Sequence, residues 1–180
     1  MMQRFTDSAR KVMSIAESKA RELGHDYVGT EHVLLGLVGA SDSVAGKALS
    51  SLQVSPIELE ADVVSAVGRG NARASEIYMT PRVKHILELA GQVANQMQNN
   101  YIASEHILIA LMADSGGVGK QILHSHNVTI DDVMGALKSL LNNGESVHMD
   151  GSNVGEDGQV TNSNLGELAD FATDLYEQAK

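Results

Sequence analysis

Between Thr6 and Leu23 the apolar residues Ala9, Val12, Met13, Ile15, Ala16, Ala20 and Leu23 return every three or four positions, with Lys11, Glu17, Lys19 and Arg21 off that stripe. This spacing predicts an amphipathic helix, capped by Thr6 and stopped at Gly24. A second helix is expected from about Thr30 to Val38. Its Val33, Leu34, Leu35 and Leu37 leave almost no polar face, so it belongs in the middle of the unit. Ser43 to Leu52 and Pro56 to Val67 supply two more, the latter opened by Ser55 as cap and by Pro56 at the first helical position.

The same four segments return as Thr80–Gln98, Ser104–Ala113, Gly117–Ser125 and Thr129–Leu141. The stretch from Tyr27 to Leu37 reappears 74 positions later, from Tyr101 to Leu111, keeping a hydroxyl residue, Glu-His and an apolar run in order. Thr6 maps to Thr80, Arg10 to Lys84, Ala16 to Ala90 and Leu49 to Leu123, with a one-residue slip around Pro56. Two copies of a four-helix unit predict an all-α, eight-helix globule with pseudo-twofold symmetry. A solenoid normally needs three or more repeats to bury its faces. The domain is expected over residues 1–142, with repeat one at 4–68 and repeat two at 78–142, joined by a flexible, basic stretch from Gly68 to Ser75. Residues 143–164, rich in Gly, Asn, Asp and Ser, read as a flexible linker. Helical spacing resumes at 165–180 through Leu165, Leu168, Ala169, Ala172, Leu175 and Tyr176, as though another module were opening.

Composition narrows the functional classes. Aromatic residues make up 3% of the chain against 43% hydrophobic residues overall, so the core is built from aliphatic side chains and Met, which favours packed helices over a sandwich. A formal charge of −10, with Lys and Arg scattered singly, argues against a nucleic-acid surface. The absence of Cys excludes disulfides and thiolate metal sites. Neither a signal-type apolar segment nor a run of membrane-spanning length is present, and a soluble, cytoplasmic protein without membrane contact is expected.

Two local patterns invite a chemical interpretation. Gly116-Gly117-Val118-Gly119-Lys120-Gln121 has the look of a phosphate loop. Asp114 stands where the first glycine should be, however, and Gln121 where a hydroxyl should meet magnesium, so no nucleotide site is expected. His32 and His106 are read as packed histidines satisfying a backbone carbonyl, since no convergent base, nucleophile or ligand spacing accompanies them. His124 and His126 could form an adventitious surface metal site. The chain is expected to be neither an enzyme nor a cofactor carrier. Glu31 and Glu105 differ from the histidines. A carboxylate in the first turn, beside free amide N–H groups, makes one negative and one positive wall, which suits a ligand bearing both a cation and an anion. This requires both carboxylates to be reachable from solvent.

Arg4-Phe5-Thr6, Gly24-His25, Gly29-Thr30-Glu31-His32-Val33-Leu34-Leu35-Gly36-Leu37, Thr80-Pro81-Arg82 and Ser104-Glu105-His106-Ile107-Leu108 together resemble the double Clp repeat at the N-terminus of ClpC-type AAA+ unfoldases. The resemblance covers about residues 1–142, and residues 165–180 resemble the helix leading into the first ATPase module of such proteins. Departures are Ala103-Ser104 in place of Gly29-Thr30 and the altered loop Asp114-Ser115-Gly116-Gly117. The resemblance implies a chaperone-type recognition domain that delivers proteins to a Clp protease, with ATP bound only by modules of the longer protein. It implies MecA- or McsB-like adaptor proteins and phosphoarginine-marked substrates as partners. Carried over by position, phosphoarginine site one is Thr6, Arg10, Val28 through its backbone, Thr30 and Glu31, and site two is Thr80, Lys84, Ile102, Ser104 and Glu105. A freestanding Clp-repeat accessory protein is the alternative, as is a domain that docks adaptors without the small ligand.

Overall fold

The computed structural model describes residues 4–73, 76–114 and 116–142. Within them the chain forms α1 (Asp7–Glu22), α2 (Thr30–Gly39), α3 (Val44–Ser51), α4 (Pro56–Val67), α5 (Pro81–Gln96), α6 (Ser104–Ala113), α7 (Val118–Ser125) and α8 (Ile130–Asn142). The all-α expectation holds, and each of the eight helices predicted over residues 1–142 is present with ends within two residues of those read from periodicity. The expected linker and the helix at 165–180 lie outside the described residues.

Helix ends repeat between the two halves because the same capping chemistry is written twice. The side chains of Thr6 and Thr80 accept the backbone N–H of Ala9 and Val83, and those of Ser43 and Ser55 accept from Gly46 and Glu58. The first and third helix of each repeat stop at a left-handed residue: Gly24 and Gln98, Gln53 and Asn127. In each case the following amide donates back five residues, His25 to Ala20, Asn99 to Ala94, Val54 to Leu49 and Val128 to Leu123. Gln98 carries a side chain where its mate is glycine, and a left-handed conformation strains any Cβ-bearing residue. Gln98→Gly is accordingly expected to raise stability by about 0.5–1 kcal/mol, measured by urea denaturation.

The core runs along α2 and α6, whose Leu34, Leu37, Ile107, Leu108 and Leu111 are among the largest fully buried side chains. Around this axis the repeats exchange parts. Thr30 Oγ1, at the first turn of α2, accepts the backbone N–H of Gly119 in α7 at 3.0 Å. Ser104 Oγ, its counterpart in α6, accepts that of Ala45 in α3 at 3.2 Å. The two contacts are pseudo-twofold mates. Each repeat's second helix thus satisfies an amide in the first turn of the other repeat's third helix.

A second exchange involves short extended segments. β1 (Tyr27–Val28) pairs in parallel with β2 (Tyr78–Met79), Tyr27 opposite Tyr78 and Val28 opposite Met79. Its mate is a single bridge between Phe5 and Ile102. The joint between repeats departs from expectation, because its first part is pinned instead of flexible. Gly70 N–H donates to Leu23 O and Ala72 N–H to Gly24 O, both at 2.8 Å. A Cβ on Gly24 would stand 2.1 Å from Gly70 O, so the approach of two backbones requires glycine there.

Candidate functional site

The first turns of α2 and α6 are built alike. In each, the third-position histidine accepts the N–H of the capping residue: Gly29 N–H to His32 Nδ1 at 2.9 Å and Ala103 N–H to His106 Nδ1 at 2.8 Å. Imidazole here takes the place that Glu or Gln holds in a capping box. Because Nδ1 accepts, the proton of a neutral ring sits on Nε2. His106 Nε2 therefore donates to Asn99 Oδ1 at 3.0 Å, and His32 Nε2 to His25 Nδ1 at 2.8 Å. His25 passes the chain on, its Nε2 donating to Gly68 O at 2.9 Å. Both histidines are structural, as expected, but each receives a backbone N–H where a carbonyl partner was anticipated. Burial pushes the His32 pKa down to about 4, with neighbouring His25 adding to the effect, and burial pushes that of His106 down to about 3.

The carboxylates between these histidines and the hydroxyls are not where ligand access requires them. Glu31 is 4% exposed and Glu105 1%. They occupy the second position of helices that are buried throughout, and the Glu31 carboxylate folds back over the capping residue, within 2.6 Å of where a Cβ on Gly29 would stand. Burial, and then the Glu31 carboxylate beside it, raise the pKa of Tyr27, whose ring covers this turn from the side of β1. Open access to both carboxylates is thus corrected: each is covered in this structure.

The grouping of site residues by repeat also fails, for a topological reason. In each repeat the first two helices form an antiparallel hairpin, so the start of one lies at the end of the other. Lys11 at the start of α1 pairs with Asp42, just past α2, at 3.5 Å, and Arg82 at the start of α5 pairs with Asp114, just past α6, at 2.7 Å. Thr6 and Arg10 are therefore far from Glu31, and Thr80 and Lys84 far from Glu105. The strand exchange supplies new neighbours. Thr80 N–H donates to Val28 O at 3.1 Å, and Thr6 N–H to Ile102 O at 2.9 Å. One joint accordingly brings Thr80 and Lys84 together with Val28 and Glu31, and the other brings Thr6 and Arg10 together with Ile102 and Glu105. Thr30 and Ser104 each also accept an amide of the opposite repeat's third helix, which leaves the hydroxyl proton of each to donate.

A model of the Clp repeat (R) N-terminal domain matches residues 4–126 and again 79–162. The chain belongs to the Clp repeat N-terminal domain family. It is 35% identical over 180 residues to the negative regulator of genetic competence ClpC/MecB of Bacillus subtilis, covering 100% of this chain and 22% of that protein. Among solved structures it is similar to the N-terminal domain of the chaperone ClpD from Arabidopsis thaliana, with a TM-score of 0.65 and 21% identity over 79% of this chain and 97% of that one. It also superimposes on a ClpV N-domain solved in complex with a VipB peptide, with a TM-score of 0.55 and 15% identity over 73% of this chain and 89% of that one. The chain spans about a fifth of the length of the curated relatives it matches. What it matches is a non-catalytic N-domain.

In this Clp N-domain the two joints share a charge layout. Arg10 and Lys84 are exposed, whereas Glu105 and Glu31 are buried, and the Thr6 and Thr80 hydroxyls accept helix-capping amides. Arg10 also pairs with Asp7 at 3.0 Å, both groups being exposed, which is a weak interaction that a stronger anion displaces readily. The phosphate-loop look-alike is a helix start, Gly117 capping α7. His126 meets Asp62 of repeat one. Among the described residues no group of three or more His, Asp or Glu side chains is placed to hold a metal ion.

Proposed function

We propose that this domain is the recognition module through which a Clp-class unfoldase takes hold of adaptor and substrate proteins, and that its two inter-repeat joints are the gripping sites. The observation that carries this is the duplicated crossing, Thr80 bonded to Val28 and Thr6 to Ile102, which joins the start of a helix bearing an exposed cation to the start of a glutamate-bearing helix of the opposite repeat. It is complementary to a ligand with an anionic end and a cationic neck, as in a phosphorylated arginine side chain. Lys84 or Arg10 takes the phosphate at the surface, and the guanidinium then reaches Glu31 or Glu105 once the covering side chains part. Adaptors of the MecA or McsB kind would dock on the same domain, and captured chains would pass to a Clp protease through parts of the longer protein. A similar fold holding a VipB peptide supports peptide capture by the domain.

Calorimetric titration of free phosphoarginine into the domain, and into the Glu31→Gln, Glu105→Gln double variant, tests this. Heat is expected from the unmodified domain and none from the variant. The burial of both carboxylates favours a second possibility, a domain that docks folded adaptors and does not bind the small ligand. In that case phosphoarginine gives no heat while adaptor pull-down succeeds.

A further inference from the structure

The two crossings share one register but not one chemistry. Where β1 meets β2, Tyr78 stands opposite Tyr27. At the mate, Phe5 bridges to Ile102 and the Ile102 N–H donates to Arg4 O at 2.8 Å, so the duplication sets Arg4 against Tyr101 in the place of Tyr78 against Tyr27. An aromatic residue at the joint that carries Glu31 is thus exchanged for an arginine at the joint that carries Glu105. The rings at the Glu31 joint form a ledge. The Tyr27 and Tyr78 centroids lie 6.5 Å apart with planes tilted by 45°, and His25 stacks on Tyr27 at 5.2 Å. Tyr27 interacts with the Glu31 carboxylate, and the charge of Asp26 also reaches it. Tyr78 stays 59% exposed, a large share for an aromatic ring. At the Glu105 joint Asn99 replaces His25 and Asn100 replaces Asp26. Arg4 is exposed there and reaches Asn95 Oδ1, in the last turn of α5, at 3.5 Å.

Resting on the reading of the joints as sites for a ligand with an anionic end and a cationic neck, we propose that the two joints are not equivalent. The Glu31 joint selects for the guanidinium end of such a ligand and the Glu105 joint for its phosphate end, with Tyr78 and Arg4 setting the difference. A guanidinium is attracted to the face of an exposed tyrosine, and carboxylates beside the ring add to that attraction. The same group is repelled by a second guanidinium, which instead offers phosphate a fork of donors. Asp26 strengthens the first preference, and its replacement by the neutral Asn100 weakens any hold on a cation at the second joint. Phosphoarginine accordingly binds at both joints, more tightly at the one with the tyrosine pair.

Two-dimensional amide NMR of the uniformly labelled chain reads each joint separately, through residues 26–31 and 78–84 for one and residues 4–10 and 100–105 for the other. The probes are phosphoarginine, ethylguanidinium, which keeps the cation alone, and propyl phosphate, which keeps the anion alone. Saturable shifts with phosphoarginine are expected at both joints, with about fivefold tighter binding at the Glu31 joint. Ethylguanidinium should shift the Glu31 joint alone, and propyl phosphate should favour the Glu105 joint. Tyr78→Arg should erase the difference by weakening phosphoarginine binding at the Glu31 joint about fivefold, and Arg4→Tyr should tighten the Glu105 joint by a similar factor. The two fragment probes in the unmodified chain decide the matter if either variant does not fold. Equal affinity for phosphoarginine at both joints, or the same fragment preference at each, overturns the proposal and leaves the reading of the joints intact. No saturable shift at either joint with phosphoarginine at millimolar concentration overturns both.

Discussion

Acidifying this domain from pH 7 to pH 4 is expected to remove several kcal/mol of stability, and most of the loss should trace to His32 and His106. An unfolded histidine takes up a proton near pH 6.5. In the folded domain His32 does so only near pH 4 and His106 near pH 3, because burial penalises the charged ring. Between those values the unfolded chain binds more protons than the folded one, so stability is fully present above pH 6.5 and declines as pH falls toward 4. Each histidine contributes on the order of 3 kcal/mol over that window. The lowered values have a geometric origin. A protonated ring would turn the Nδ1 that accepts the Gly29 or Ala103 N–H into a donor facing a donor. Thermal melting at half-unit pH intervals checks this. His106→Gln, whose amide oxygen can serve the same capping box, should flatten the lower part of the curve.

Gly36→Ala is expected to lower stability by about 3 kcal/mol, although alanine is the better helix former by about 1 kcal/mol. An added Cβ at Gly36 would stand 2.2 Å from Val12 O and 3.2 Å from Ala16 N. Both obstacles are backbone, so α1 and α2 must separate, and the side chains that interlock between them lose contact together. The matching place in repeat two holds Ala110, buried against α5, which shows that the second hairpin is spaced to hold a methyl group. Ala110→Gly should therefore cost only about 1 kcal/mol from helix propensity, with a small cavity added. Chemical denaturation of both variants separates the two hairpins.

The helices were legible because each carries its own local signals. The stripe from Ala9 to Leu23, Pro56 behind Ser55, and the Thr caps at 6 and 80 depend on neighbours within a turn or two. The internal duplication was equally plain, and so was the buried course of α2 and α6, since a helix without a polar face has nowhere else to go. The arrangement of the site was not legible. Repetition in sequence suggests that functional residues collect within one copy, yet Phe5 bridges to Ile102 and Met79 to Val28. Nothing local to Thr6 or Thr80 encodes that crossing. It follows from how two hairpins bury their apolar faces against each other. The packing role of Thr30 and Ser104 is hidden for the same reason, since nothing near either residue in the chain shows that its oxygen accepts the amide of Gly119 or Ala45. The covered carboxylates of Glu31 and Glu105 belong to this group, because burial at a helix start depends on what the other repeat lays across it.

That crossing is also what a binding experiment addresses most directly. Phosphoarginine stoichiometry should be determined by calorimetry for Glu31→Gln combined with Lys84→Ala, and for Glu31→Gln combined with Arg10→Ala, each variant first shown to melt cooperatively. If the sites span the repeats, the first pair disables one joint and leaves one equivalent bound, whereas the second disables both and leaves none. One equivalent retained with Arg10→Ala and none with Lys84→Ala, or no binding to the unmodified domain at all, would contradict recognition at the joints.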